Sequence, residues 1–107
     1  MHIQWTPRDL SVFETLANTA SFRRTAEQVC LSQSAVSGVI ARLEDNLGAR
    51  LFDRTTRSVH LTHAGKVFLE QVRLMQAQTE EAVRQVRNIN ELAVGKVRMA
   101  ALPSLAA

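Results

Sequence analysis

The chain has 107 residues, of which 46% are hydrophobic, and it carries a formal net charge of +3 at pH 7. This length fits one domain with an appended helix and excludes a two-lobed enzyme, because a second lobe would need a core of its own. A single cysteine and three histidines provide neither a disulfide framework nor the ligand spacing of a zinc finger. The mild positive charge is compatible with a polyanionic partner if the cations cluster on one surface.

Two short amphipathic helices are predicted at the start of the chain. Thr6-Pro7 starts the first helix, because a threonine can cap orphan amides and proline fits the first helical position. Its apolar face repeats at helical spacing until the polar break at Asn18-Thr19. Ser21 can cap a second helix that ends near Cys30.

A third predicted helix follows after a turn of two residues. Ser32 can cap it, and Leu47-Gly48 ends it with a glycine suited to a left-handed C-terminal cap. The small Ala26 where the two helices approach, with Val36 packing back, is typical of a helix-turn-helix.

The N-terminal end of the third helix is rich in small polar residues, which are poor helix formers. Recognition helices contact base edges with this end: glutamine can bond adenine, serine can bond a base or a phosphate, and free amides attract phosphate oxygens. The alternative is that Ser32 only caps the helix, that Ser34 and Ser37 are solvated, and that Gly38 allows close packing. The candidate DNA-binding residues of this helix are Ser32, Gln33, Ser34, Ser37, Gly38 and Arg42.

The stretch LFDRTTRSVHLT alternates apolar and polar residues on each side of a polar centre, which predicts two short strands joined by a turn. Arg54, Thr55 and Arg57 lie at the tip of this wing, together with Thr56 and Ser58. Cations and hydroxyls at that place can reach a phosphate backbone or the minor groove beside the recognition helix. The alternative is that both arginines are ordinary solvated surface residues.

A long helix capped by Thr62 is predicted from His63 to about residue 93. At about 45 Å it is too long to bury on so small a domain, so its apolar seam implies a partner helix. The alternative is an amphipathic helix that folds back on its own domain. The predicted dimerisation seam consists of Phe68, Val72, Met75, Thr79, Ala82, Val86 and Ile89, followed by Ala93.

The run AEQVCLSQSAVSGVIARLEDNLGARLFDRTTRSVHLTHAGKVFL resembles the N-terminal domain of LysR-type transcriptional regulators, with three motifs in the family's order and spacing. The resemblance implies a mainly α fold: a winged helix-turn-helix over residues 1–62, a linker helix over 63–93, and the start of a truncated effector-binding domain over 94–107. It also implies a cytoplasmic bacterial homodimer, or a tetramer at full length, that binds double-stranded DNA at a pseudo-palindromic operator. Many members carry a long basic or polar side chain where Gly38 stands.

The resemblance further implies that the missing domain binds a small-molecule inducer, whereas no cofactor is expected in this fragment. GKVRMAALPSLAA, beginning at Gly95, looks like the first strand of that domain.

Two other classes of function remain open. A winged helix can serve as a protein-interaction module; an enzyme is less supported, since no nucleophile with a base and no phosphate-binding glycine loop is evident. We interpret Cys30, His60 and His63 as ordinary surface residues.

Overall fold

The computed structural model describes residues 3–55 and 57–100, the last five of these by their backbone alone. Its elements are α1 (Pro7–Thr19), α2 (Phe22–Val29), α3 (Gln33–Leu47), β1 (Phe52–Arg54), β2 (Val59–Leu61) and α4 (His63–Ala100). The chain divides into two compact units, Met1–Arg73 and Leu74–Ala107. The predicted order of three helices, a wing and a long helix is confirmed. No helix in the described part of the chain has a stretch long and apolar enough to cross a membrane.

Hydroxyl side chains cap four of the helices. Thr6, Ser21, Ser32 and Thr62 each accept a hydrogen bond from the backbone N–H three residues later, at 3.0 to 3.2 Å. At α1 the cap is reciprocal, because the Asp9 carboxylate accepts from the backbone N–H of Thr6 at 3.0 Å. All four predicted N-caps are therefore confirmed.

Left-handed residues end the first three helices. Gly48 has φ 65° and ends α3, as predicted, whereas Ala20 (φ 53°) and Cys30 (φ 57°) end α1 and α2 without being glycine. A left-handed conformation costs a residue with a Cβ about 1–2 kcal/mol. These two sharp ends allow three helices to pack within fewer than fifty residues.

Aromatic rings form the centre of the first unit's core. The Phe13 ring lies 5.5 Å from Phe52 and 5.0 Å from Phe68, measured between centroids, and Trp5 meets Phe68 edge to face at 5.6 Å. Such tilted and edge-on pairs add to the stabilisation from burial. The buried apolar side chains around them are Leu10, Val12, Leu16, Ala26, Val36, Val39, Ile40, Leu43, Leu51 and Val72.

The wing is a two-stranded antiparallel sheet, as predicted. Phe52 pairs with Leu61 and Arg54 with Val59. Phe52 is buried, while Asp53 and Arg54 are exposed. The core thus anchors the base of the wing and leaves its tip in solvent.

Two expectations about α4 are wrong. Phe68 and Val72, predicted at the dimer seam, are buried in the first unit's own core, because the first turns of α4 complete that core. The strand predicted from Gly95 is helical as far as Ala100; one interior glycine costs only about 1 kcal/mol, too little to end the helix. The rest of that predicted strand, residues 101–107, lies outside the described residues.

Candidate nucleic-acid interface

The turn between α2 and α3 is fixed by backbone hydrogen bonds and burial. The N–H groups of Cys30 and Leu31 both donate to the carbonyl of Ala26, the latter at 3.1 Å. Ala26 and Val36 are buried against the common core. The approach of the two helices is as predicted, and it determines where the N-terminal end of α3 points.

The N-terminal end of α3 presents its small polar residues to solvent. Gln33, Ser34 and Gly38 are exposed and Ser37 is half-buried. At 100° per residue these positions fall on one side of the helix, opposite the buried Val39 and Leu43. The Ser32 hydroxyl, besides its cap, lies 3.2 Å from the Ser34 hydroxyl. The predicted candidates therefore share one accessible face.

Gly38 lies on this face in open space. A Cβ added at Gly38 would have no atom within 4 Å. The alternative that Gly38 allows close packing within the domain is therefore wrong for the part of the chain that the structure describes. Because the space around this position is open, the fold would accept a larger side chain here, and packing gives no reason for a glycine.

Arg42 is engaged with α1. Its guanidinium donates to the Asp9 carboxylate at 3.1 Å, and the Asp9 side chain is only 10% exposed whereas that of Arg42 is 50% exposed. Asp9 thereby links the α1 cap to α3. The sequence did not reveal this pair, because the two residues lie 33 positions apart.

Thr55 organises the tip of the wing. Its backbone N–H donates to the Ser58 carbonyl at 2.9 Å, and its hydroxyl accepts from the N–H groups of Arg57 and Ser58 at 3.3 and 3.0 Å. The predicted contact residue Thr55 therefore holds the turn itself. Arg57 is exposed beside it.

Arg54 differs from Arg57 in its surroundings. Its guanidinium lies 3.6 Å from a Glu44 oxygen and stacks on the Phe22 ring, with its Cζ 4.9 Å from the ring centroid. Neither Glu44 nor Phe22 is recognisable from the sequence alone as a support of the wing. A glutamate ten residues before an arginine carries no local signal of pairing across two elements.

The remaining polar candidates form no site. Cys30, His60 and His63 are exposed. Across residues 3–55 and 57–100 no group of three or more histidine, cysteine or acidic side chains is arranged to hold a metal ion.

The second unit presents part of the predicted seam. Met75, Val86 and Ile89 are 40%, 59% and 66% exposed in the single chain, and Thr79 and Ala82 are exposed as well. The Thr79 hydroxyl donates to the Met75 carbonyl at 3.0 Å, so its methyl group is available for apolar packing. Other exposed apolar side chains of this unit are Leu74, Val83, Leu92 and Val94.

A helix-turn-helix with an exposed polar recognition end and a basic wing defines the class of winged helix-turn-helix domains. Residues 7–66 match the family model described as bacterial regulatory helix-turn-helix protein, lysR family. The chain therefore belongs to the LysR family, and the predicted resemblance is confirmed.

Similar curated proteins are transcriptional regulators. The chain is 39% identical over 100 residues to the HTH-type transcriptional regulator YfeR of Shigella flexneri, covering 94% of this chain and 32% of YfeR. It is 44% identical over 98 residues to the regulator y4mQ of Sinorhizobium fredii, covering 92% of this chain and 32% of y4mQ. The chain thus spans about a third of the length of the curated relatives it matches.

Solved structures share the fold. Vibrio fischeri DarR in complex with DNA is 32% identical with a TM-score of 0.75, over 84% of this chain and 31% of DarR. The CbnR DBD–DNA complex is 27% identical with a TM-score of 0.76, over 80% of this chain and 99% of that one. The BenM DBD in complex with benA site 1 DNA is also 27% identical, with a TM-score of 0.74 over 79% of this chain and 99% of that chain.

Proposed function

We propose that this chain is the sequence-specific DNA-binding domain of a LysR-type transcriptional regulator. The observation that carries the proposal is the accessible N-terminal end of α3, where Gln33 and Ser34 are exposed beside half-buried Ser37. An α-helix fits into a major groove, where glutamine can bond adenine and serine can bond a base or a phosphate. The DNA complexes of DarR, CbnR and BenM, which have this fold, support the same partner.

The interface extends from α3 to the wing. Arg57 presents a guanidinium that would contact the phosphate backbone or the minor groove. Ser32, Arg42 and Thr55 lie beside these contacts while also holding internal partners. Gly38 would leave its base pair without a side-chain contact.

The active form is a homodimer joined through α4. Met75, Val86 and Ile89 leave a large apolar surface in water in the single chain, and pairing two such helices would bury it. A two-fold protein reads a site with two-fold symmetry, so the operator is a pseudo-palindrome.

We propose that the full protein contains an effector-binding domain in addition to the part present in this chain. We assign residues 1–62 to the DNA-binding domain, 63–93 to the linker helix and 94–107 to the entry into an effector-binding domain. The relatives' greater length supports such a domain, which would bind a small-molecule inducer. The regulator acts in the bacterial cytoplasm, where its DNA lies, and it is not an enzyme.

Selection of bound duplexes from a random DNA pool, at two salt concentrations, tests this function. Enrichment of an inverted repeat that persists at the higher salt is the expected result. Binding without sequence enrichment would contradict specific readout by α3, since charge contacts alone are blind to sequence. Absence of duplex binding by the folded dimer would favour a protein-interaction module instead.

A further inference from the structure

Three elements of the first unit converge on the guanidinium of Arg54. It projects from β1 to within 3.6 Å of the Glu44 carboxylate on α3, and it stacks on the ring of Phe22, the first residue of α2. The Arg54 side chain is 35% exposed and that of Glu44 only 17% exposed. We name these three residues the wing brace.

Glu44 connects the brace to the backbone of the wing. While one of its carboxylate oxygens faces Arg54, the other accepts a hydrogen bond from the Leu51 N–H at 2.8 Å. Leu51 is the last residue before β1 and is buried in the core. One glutamate therefore holds the wing at two points, its entry and its first strand.

The charge of Arg54 is already balanced within the domain. A partly buried carboxylate at this distance attracts a guanidinium more strongly than it would in bulk water, and the aromatic face adds a cation–π contact. A phosphate approaching Arg54 would have to compete with Glu44 and would also meet the repulsion of that carboxylate.

Arg57 has none of these constraints. Its side chain is exposed, and none of the side chains that the structure describes, in residues 3–55 and 57–95, pairs with its guanidinium. Only its backbone is fixed, through the N–H that donates to the Thr55 hydroxyl. The two wing arginines, alike in the sequence, therefore differ in their available charge.

We propose that Arg54 is a positioning residue and that Arg57 is the phosphate-contacting cation of the wing. The wing brace holds β1 against α2 and α3 and so sets where Arg57 meets DNA. This division of roles rests on the proposed DNA-binding function, and it replaces the expectation that both arginines contact DNA.

The salt dependence of operator binding separates the two roles. Each phosphate contact contributes about 0.9 to the slope of log K against log salt concentration. Arg57→Ala should reduce the magnitude of the slope by about that amount. Arg54→Gln acts only through the placement of Arg57, so the double variant Arg54→Gln/Arg57→Ala should have the same slope as Arg57→Ala alone. Arg87→Ala, which removes an exposed arginine of α4, is the matched control and should leave the slope unchanged. A further slope reduction of about 0.9 in the double variant would show that Arg54 makes a phosphate contact of its own, and would overturn the proposal.

Non-additivity tests the positioning itself. If the brace directs Arg57, then Arg57→Ala should reduce operator affinity by a smaller factor in the Arg54→Gln background than in the unmodified chain. Phe22→Leu should diminish the Arg57→Ala effect in the same way, although Phe22 carries no charge and makes no phosphate contact of its own. Equal factors in all three backgrounds would contradict a positioning role.

A substitute variant and a defined operator complete the experiment. Glu44→Gln keeps an acceptor for the Leu51 N–H but loses the ion pair, and it replaces Arg54→Gln if that variant does not fold, as judged by circular dichroism. The operator used is the duplex enriched from the random pool. If no duplex is enriched, the DNA-binding function itself fails; if one is enriched and the two arginines reduce the slope independently, only the brace fails.

Discussion

Gly65 packs directly against the carbonyl oxygen of Leu51. A Cβ at Gly65 would overlap this oxygen and would come within 2.9 Å of a Leu61 methyl group. The same Leu51 carbonyl accepts the Thr62 N–H at 2.9 Å. The entry to the wing and the first turn of α4 are therefore in contact at a point where only a glycine fits.

Gly65→Ala should consequently destabilise the first unit. Alanine normally favours a helix over glycine by about 1 kcal/mol, but here the backbone would have to move, and overpacking of this kind costs about 1–3 kcal/mol. We expect a lower free energy of unfolding in urea. Gly38→Ala is the matched control: it meets no atom within 4 Å and should raise stability by about 1 kcal/mol. Equal stabilisation by both substitutions would contradict the close contact.

Gln33→Ala should weaken binding to the selected operator by about 1–3 kcal/mol and binding to random DNA by less. The side chain is exposed at the N-terminal end of α3, so its loss removes a base contact without disturbing the core. Titration of both duplexes with the variant measures the difference. Gln78→Ala, at an exposed position of α4 outside the predicted seam, should change neither affinity. Equal losses on both duplexes would remove Gln33 from base readout.

Local signals made much of the fold predictable. The caps Thr6, Ser21, Ser32 and Thr62 and the terminating Gly48 are set by nearby backbone geometry, and all five act as predicted. The αL ends at Ala20 and Cys30 could not be predicted, because neither residue type favours this conformation. There, packing between helices outweighs the local preference.

Ion pairs between residues far apart in the chain could not be predicted from the sequence, for a different reason. Asp9 and Arg42, or Glu44 and Arg54, meet only after separate elements have packed.

The apolar repeat of α4 continues without a break from Phe68 through Met75. It does not distinguish side chains that complete the domain's own core, such as Phe68 and Val72, from those left exposed.

Asp9→Ala should destabilise the chain more than Arg42→Ala does. The carboxylate serves both the α1 capping box and the ion pair, whereas Arg42 is half exposed and contributes through the pair alone. Loss of a cap costs about 1 kcal/mol, and a partly exposed pair contributes roughly 0.5 kcal/mol. Urea unfolding of the two single variants and the double variant measures both values. A coupling energy of zero would show that the pair does not stabilise the fold.

Val86→Asp should dissociate the dimer. The Val86 side chain is 59% exposed in the single chain, and burying an added carboxylate at a helix seam without a partner is unfavourable. Sedimentation velocity should show a monomer over concentrations at which the unmodified chain is a dimer, and affinity for the inverted repeat should fall towards that for a single half-site.

Asn88→Asp is the control for this substitution. Asn88 is exposed and lies two residues further along α4, about 160° around the helix from Val86. Asn88→Asp introduces a carboxylate outside the seam, so sedimentation should still show a dimer. If Val86→Asp also remained dimeric, the predicted seam would be wrong. If both variants dissociated, the added charge rather than its position would be responsible, and the dimer interface would have to include the opposite face of α4.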